Sequence, residues 1–472
     1  MSTRGKKLGK NLMIISIGSF SSKILSFLFI PLYTHVLSTS DYGSADLIST
    51  TVSLLVPFAT LVIGEAMMRF ALDKQYPVGS IFWSGIKAIK YSFPLVAVLS
   101  VVLVLFEDFR NYYIILLVHL ITSCIYTVLS YYARGVDAVK EYAIAGIIGT
   151  LGIIIFNIMF LAIFRLGVIA YMISFIFADV IGSAFLLLSK RIRKSISERN
   201  NAIETRIQHE LLKYSLPLVP NSISWWISNS SDKYILIFFH GVAINGIYSL
   251  SYKIPSLIGL VTSIFSSAWV ISSLDNFGDQ QSKMFYEKVY SNYLMLIGIV
   301  SSALLVFNKP LSFFLFASDF YDAWKYQPIL IIGVAFHALG GFIGSIYTAA
   351  KKTKMIFVTT MCGALINIIL NFILIPPFSA YGAALATTIS YIIVWIIRAI
   401  DSRKIMPLDI AWSKNIVMFG VLLFQLICIY QSNSIWQILS SVALIALCFI
   451  YRRELVDVLK VLFSKFRKNK ST

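Results

Sequence analysis

Runs of about twenty apolar residues recur along almost the whole chain, and nothing else restricts its fold as strongly. A helix of that length crosses the hydrocarbon of a bilayer, which is about 30 Å thick. Lipid offers the backbone no hydrogen-bond partners, so such runs must satisfy themselves as helices. Hydrophobic residues make up 58% of the 472, and mean hydropathy is +0.80, leaving no room for a soluble domain of ordinary size. The expected fold is an all-α integral membrane protein with about 14 transmembrane helices. Its spans lie near 11–36, 43–66, 85–106, 112–133, 142–164, 167–189, 214–239, 246–273, 289–308, 326–349, 355–376, 381–400, 411–430 and 434–451.

A net charge of +18 invites a nucleic-acid reading, which its distribution removes. Counting Lys87, Lys90, Arg398 and Lys414, near span ends, with their adjacent loops, 33 of the 40 Lys and Arg fall on the side of the two termini and 4 on the other. Lys23, Lys233 and Lys253 lie deeper inside spans. The asymmetry places both termini in the cytoplasm under the positive-inside rule, so the basic excess is a topology signal. The basic start resembles a signal peptide, but the apolar run continues through 24–37 without a convincing cleavage site and is read as the first span. Cys124, Cys362, Cys428 and Cys448 sit singly in apolar spans, so neither a disulfide framework nor a metal site is expected.

An internal repeat sets the expected organisation. Residues 149–161 (GTLGIIIFNIMFL) align without gaps on 363–375 (GALINIILNFILI), matching Gly149 with Gly363 and Asn157 with Asn371. Gly167 and Gly382 then open the next span as turn glycines. Matching spans six apart share orientation and imply a repeat axis along the membrane normal. The expected parts are an N-terminal six-helix bundle (1–189), a basic cytoplasmic linker (190–213), a second six-helix bundle (214–405), and two extra helices with a basic tail (406–472).

The stretch 213–253 carries Pro217, Pro220, Asn229, Asp232, Lys233 and Lys253 where lipid penalises them, and is expected to line a polar pathway. Its prolines are expected to withhold backbone hydrogen bonds within the span. Lys23 falls roughly 18–20 Å from either end of the first span, near mid-membrane. The three ammonium groups suit a desolvated phosphate; the bland alternative is snorkelling, or structural pairing with Asp232. Asp232 and Asp179 are the intramembrane acids singled out, as coupling sites or counterions. Glu65 and Arg69 have the spacing of a helix-surface ion pair. His119 and His337 read as buried histidines bonded to neighbours, and Gly340 with Gly344 as a close-packing face. Trp225, Trp226 and Trp269 are candidates for stacking on sugar rings, with interfacial anchoring as the commoner use.

The ordered elements SxxxWWxxxxxDKYIL, NGIYSLSYKI and NxxLNFILIPPFxxYGAAxATxIS carry a resemblance. The chain resembles the polysaccharide-export branch of the multidrug/oligosaccharidyl-lipid/polysaccharide exporter superfamily, and within it the O-antigen or capsule repeat-unit flippases. The resemblance implies paired six-helix bundles around a central cavity. It also implies transfer of an undecaprenyl-diphosphate-linked oligosaccharide to the outer leaflet of the bacterial plasma membrane, with polysaccharide polymerase and chain-length machinery as partners. It places a basic residue at Lys233 and another, Arg69, at the cavity mouth.

No nucleotide-binding loop and no hydrolase or metalloprotease motif occurs, so no cofactor and no enzymatic activity are expected. Energy then comes from an H+ or Na+ gradient, the membrane potential or mass action. Three alternatives stay open: a lipid II flippase, a cation-coupled multidrug exporter of the same fold, and a membrane glycan polymerase or glycosyltransferase. The last would need a large outer loop, and 309–326 offers only Asp319 and Asp322 as acids.

Overall fold

The computed structural model describes residues 27–104, 107–275, 280–350, 352–408, 412–431 and 433–456, and every regular element among them is helical. They fall into two compact units. The first runs to Ile237 and includes Gly241–Gly246; the second holds Phe238–His240 and continues from Ile247.

The first unit begins with α1 (Ile30–Val36) and α2 (Thr39–Thr60). Ser38 and Asp41 start α2 as a reciprocal cap, Ser38 Oγ accepting from the Asp41 amide at 3.1 Å. Pro57, which lacks an N–H, lies one turn before a break at Leu61 and Val62, both left-handed with φ 52° and 53°. α3 (Ile63–Asp73) leaves this break at 54° to α2, so the span expected at 43–66 is bent. α4 (Val78–Ile89) and α5 (Phe93–Val104) divide the next span, and α6 (Tyr113–Gly135), α7 (Val139–Phe156) and α8 (Gly167–Leu188) follow. At Asn157–Ile163 the backbone widens into a π-helix, and Gly167 adopts φ +61° as the expected turn glycine.

The segment expected as a linker folds into this unit. α9 (Lys190–Ser197) and α10 (Glu204–Ser215) give Ile192, Ile207 and Leu211 to a core shared with Ile81, Tyr132 and Leu186. Polar groups pin the strap to α4. The Gly79 amide donates to the Glu198 carbonyl at 3.0 Å, so close that a Cβ on Gly79 would sit 2.5 Å from that oxygen. Ser84 Oγ donates to the Glu204 carbonyl at 2.9 Å. The Glu204 carboxylate is buried and takes Arg199 Nε at 2.5 Å and Lys87 Nζ at 2.7 Å. Arg199, then Lys87, hold the Glu204 carboxyl below its ordinary value against the opposing effect of burial.

α11 (Leu218–His240) and α12 (Val242–Ser251) contain the polar stretch. Pro217 caps α11 and Pro220 is its third residue, where helix amides have no intrahelical acceptor. The prolines therefore initiate the helix and withhold no bond within the span, contrary to the sequence expectation.

The second unit comprises α13 (Ser256–Asp275), α14 (Gln280–Val306), α15 (Asn308–Leu315), α16 (Gln327–Ala349), α17 (Thr353–Asp401), α18 (Trp412–Ile429) and α19 (Ser434–Ile450). α17 runs the expected spans 355–376 and 381–400 together across a kink at Ser379 (φ 50°, ψ −132°). The turn thus falls at Ser379, not at Gly382, where a Cβ would lie 2.1 Å from the Leu374 carbonyl oxygen. Glycine is required there for close approach. Arg398 is buried against the Gly340 carbonyl (3.1 Å) and the Thr359 and Thr360 hydroxyls (both 3.0 Å). Lys414 pairs with Glu454, and Tyr290 donates to Asn415 at 3.0 Å, fastening the last two helices to α14.

Among the described residues, seven helices are long and apolar enough to cross a bilayer, or eight if α2 and α3 form one span. α11 falls short through its polar middle, SNSSDK, and α19 is 17 residues long. The all-α membrane fold is as expected from the apolar runs.

Candidate functional site

Lys233 leads to the first polar cluster. Its Nζ lies 2.9 Å from both carboxylate oxygens of Asp46, on α2. The pair is largely withdrawn from solvent, the side chains being 15% and 20% exposed. Asn245 Nδ2 supports Asp46 Oδ2 at 3.4 Å and donates to the Gly43 carbonyl at 3.3 Å. This contact needs two glycines. A Cβ on Gly43 would lie 2.0 Å from the Val242 carbonyl oxygen, and one on Gly246 2.0 Å from that of Thr39. Asp232 is buried beside it, its carboxylate accepting from the Lys233 amide at 2.9 Å. The counterion of Lys233 is therefore Asp46, which the sequence reading passed over although it is an acid inside an expected span.

Lys23 lies outside the described residues. Lys253 is half-buried in the break between α12 and α13, its amide donating to the Leu250 carbonyl at 3.0 Å. Arg69 is exposed and pairs with Asp73 at 3.2 Å rather than with Glu65. Both acids stand one helical turn from Arg69, Glu65 just after the break at Leu61–Val62.

Glu65 instead accepts from the Tyr131 hydroxyl at 3.1 Å and lines a partly open cavity of about 400 Å³ within the first unit. The wall comprises α2, the bend, α6 and the start of α11. Ser49, Ser53, Thr60, Ser123, Thr127 and Ser222 present hydroxyl-bearing side chains to it, joined by His119. Two of these groups hold buried polar atoms without partners, Ser49 Oγ and His119 Nδ1. Such an orphan costs about 1–3 kcal/mol unless something satisfies it. Val62, β-branched with positive φ, also lines the cavity, so backbone strain of about 1–3 kcal/mol accompanies the site.

Behind this wall lies Asp179. Ser123 Oγ donates to its Oδ2 at 2.5 Å, and His119 Nε2 stands 4.0 Å away. The structure thus joins two residues read separately, the buried His119 and Asp179. His337, expected to be buried, is exposed against the Tyr391 ring at 4.5 Å. Of the tryptophans, Trp225 is exposed. Trp226 Nε1 donates to the Thr50 carbonyl at 3.0 Å and Ser53 Oγ at 3.1 Å. Trp269 is buried between Phe342 (4.8 Å) and Phe285 (5.9 Å) with its Nε1 on Ser345, so its faces are already covered.

Among the described residues no cluster of His, Cys, Asp and Glu is suited to a metal ion.

Known proteins share this architecture. The lipid II flippase MurJ, in an inward closed conformation, aligns with a TM-score of 0.68 at 17% identity, over 94% of this chain and 100% of that one. An inward-facing multidrug resistance MATE family transporter of the MOP superfamily aligns with 0.64 at 12% identity, over 84% and 97%. At these identities the likeness establishes the fold. Agl15, a probable low-salt glycan biosynthesis flippase of Haloferax volcanii, is 25% identical over 224 residues, 45% of this chain and 47% of that protein. The capsular polysaccharide biosynthesis protein CapF of Staphylococcus aureus is 25% identical over 257 residues, 53% of this chain and 64% of CapF. The chain spans about half the length of the curated relatives it matches. The polysaccharide biosynthesis protein family matches residues 8–271, more than half of the sequence, and the chain belongs to that family.

Proposed function

We propose that this chain is a flippase, not an enzyme, that carries an undecaprenyl-diphosphate-linked oligosaccharide repeat unit from the cytoplasmic to the outer leaflet of the bacterial plasma membrane. The product would feed O-antigen, capsule or exopolysaccharide synthesis, with a polymerase and chain-length machinery acting next. The observation carrying this reading is the cavity of about 400 Å³ in the first unit, whose wall brings serine and threonine side chains, Glu65 and His119 among apolar residues. A polar headgroup crossing lipid needs such a surface to replace its water, and the volume lies in the usual range for ligand sites, about 300–1,000 Å³. Membership of a polysaccharide biosynthesis family and the flippase and capsule names of two relatives support the same reading.

In this proposal Lys23, Lys233 and Lys253 neutralise the pyrophosphate, with Arg69 at the mouth, and Lys233 exchanges Asp46 for phosphate during passage. His119, Ser123 and Asp179 form the candidate H+ or Na+ coupling cluster. The halves 1–189 and 214–405 are proposed as a repeat, supported by Asn157 and Asn371: both are fully buried, and both have a carbonyl oxygen without a partner.

The test is export in a strain lacking the native gene, as surface glycan per unit of membrane protein. Lys23→Gln and Lys233→Gln should lower export at normal abundance, and Lys→Arg should retain more than Lys→Gln. Full export by the double Gln variant would make these lysines structural. Absence of glycan export by the unmodified chain, with rescue of peptidoglycan precursor transport instead, would favour lipid II.

A further inference from the structure

The cavity of the first unit sets hydroxyl-bearing side chains, Glu65 and His119 among apolar ones. Among the described residues no Lys or Arg lines it. Its charged group is Glu65, which keeps one oxygen on the Tyr131 hydroxyl. The Arg134 guanidinium lies over the Tyr131 ring at 4.2 Å and the Tyr142 ring at 5.1 Å, and its Nε donates to the Ser130 carbonyl at 3.3 Å. Asp179 stands behind His119, its Oδ2 4.0 Å from Nε2, so no cation is added from that side. A pyrophosphate has no countercharge here. A sugar ring is suited to it: its hydroxyls donate to a carboxylate and exchange hydrogen bonds with serine and threonine hydroxyls. Ser49 and His119, whose Oγ and Nδ1 are buried without partners, belong to the same wall.

We propose that this cavity is a subsite for uncharged sugar, holding one or two hydroxyl-bearing rings of the glycan while the phosphates lie elsewhere, and that Glu65 excludes acidic sugars. The inference rests on the flippase reading and narrows its substrate class. An ionised hexuronic acid presents an acceptor-only group to another acceptor-only group. No donor mediates between them, and a partly desolvated site screens their repulsion poorly. Replacing Glu65 by glutamine keeps an acceptor for Tyr131 and supplies N–H donors to an acidic ring.

The experiment uses the full chain in lipid nanodiscs and three probes: bare undecaprenyl diphosphate, the same lipid bearing a neutral N-acetylhexosamine–hexose disaccharide, and that lipid with the hexose oxidised to hexuronic acid. The neutral glycolipid should bind most tightly, with the acidic one weaker by roughly tenfold or more. In Glu65→Gln the two should come within about threefold, a difference of under 1 kcal/mol by the affinity relation. Equal affinity of the unmodified chain for neutral and acidic lipids overturns the proposal while leaving the flippase reading intact. So does bare carrier binding as tightly as the neutral glycolipid, or an unchanged preference in a folded Glu65→Gln variant. Failure of all three lipids to bind overturns the flippase reading itself, and this inference with it.

Discussion

Lys233 shows how a side chain that lipid would penalise is kept in place. Its ammonium is shared by two carboxylate oxygens at 2.9 Å, and the amide of Asn245 braces the same carboxylate. Removing one partner leaves the other charged and poorly hydrated, whereas removing both does not. Asp46→Asn should therefore destabilise the protein by about 2–3 kcal/mol, less than a fully buried pair because both side chains keep some solvent contact. Lys233→Met on that background should recover at least half, as read by thermal unfolding of the four purified proteins of the cycle. Additive losses would dissolve the coupling. The lysine itself was legible in the sequence as a charge within an apolar run. Its partner was not, because Asp46 lies 187 residues away and no local spacing joins them.

At the scale of elements, glycine and the strap decide how closely helices approach. α2 and the start of α12 meet where Gly43 and Gly246 each face a carbonyl at 2.0 Å from a would-be Cβ. Ala at either position must push the helices apart and should lower the unfolding temperature by several degrees, on the order of 2 kcal/mol or more. Gly259→Ala, in α13 with nothing within 4 Å, should be neutral or stabilising by about 0.5–1 kcal/mol. Equal effects at all three sites would refute the close crossing. The strap makes a pH prediction. The folded Glu204 carboxyl titrates below its unfolded value, so its stabilisation is complete above the ordinary glutamate range and lost as pH falls through the folded value. Proteolysis within 190–215 should be constant from pH 7 to about 5.5 and rise below roughly pH 4. Glu204→Gln should be cut faster already at pH 7.

For the whole molecule, the charge asymmetry predicts the placement of its loops. A phosphatase reporter fused after His240 should be active outside the membrane, and one fused after Asn200 inactive; the reverse pattern would invert the topology. The sequence by itself determined the membrane class, the helical fold and the family resemblance, because hydrocarbon thickness and unpaired backbone groups impose a periodic, local signature. It also marked Lys233, Asp179 and His119, since polar side chains stand out against apolar surroundings. What it left open depended on contacts between distant segments. The strap reads locally as a basic loop, yet Ile192, Ile207 and Leu211 complete a core assembled from other helices. Glu65 reads as the partner of Arg69, four residues on. Two left-handed residues, Leu61 and Val62, bend the span just before Glu65, which accepts from Tyr131. A backbone break held by surrounding packing leaves little trace in local propensity, so only the tertiary structure decided which acid pairs with a cation and which faces the cavity.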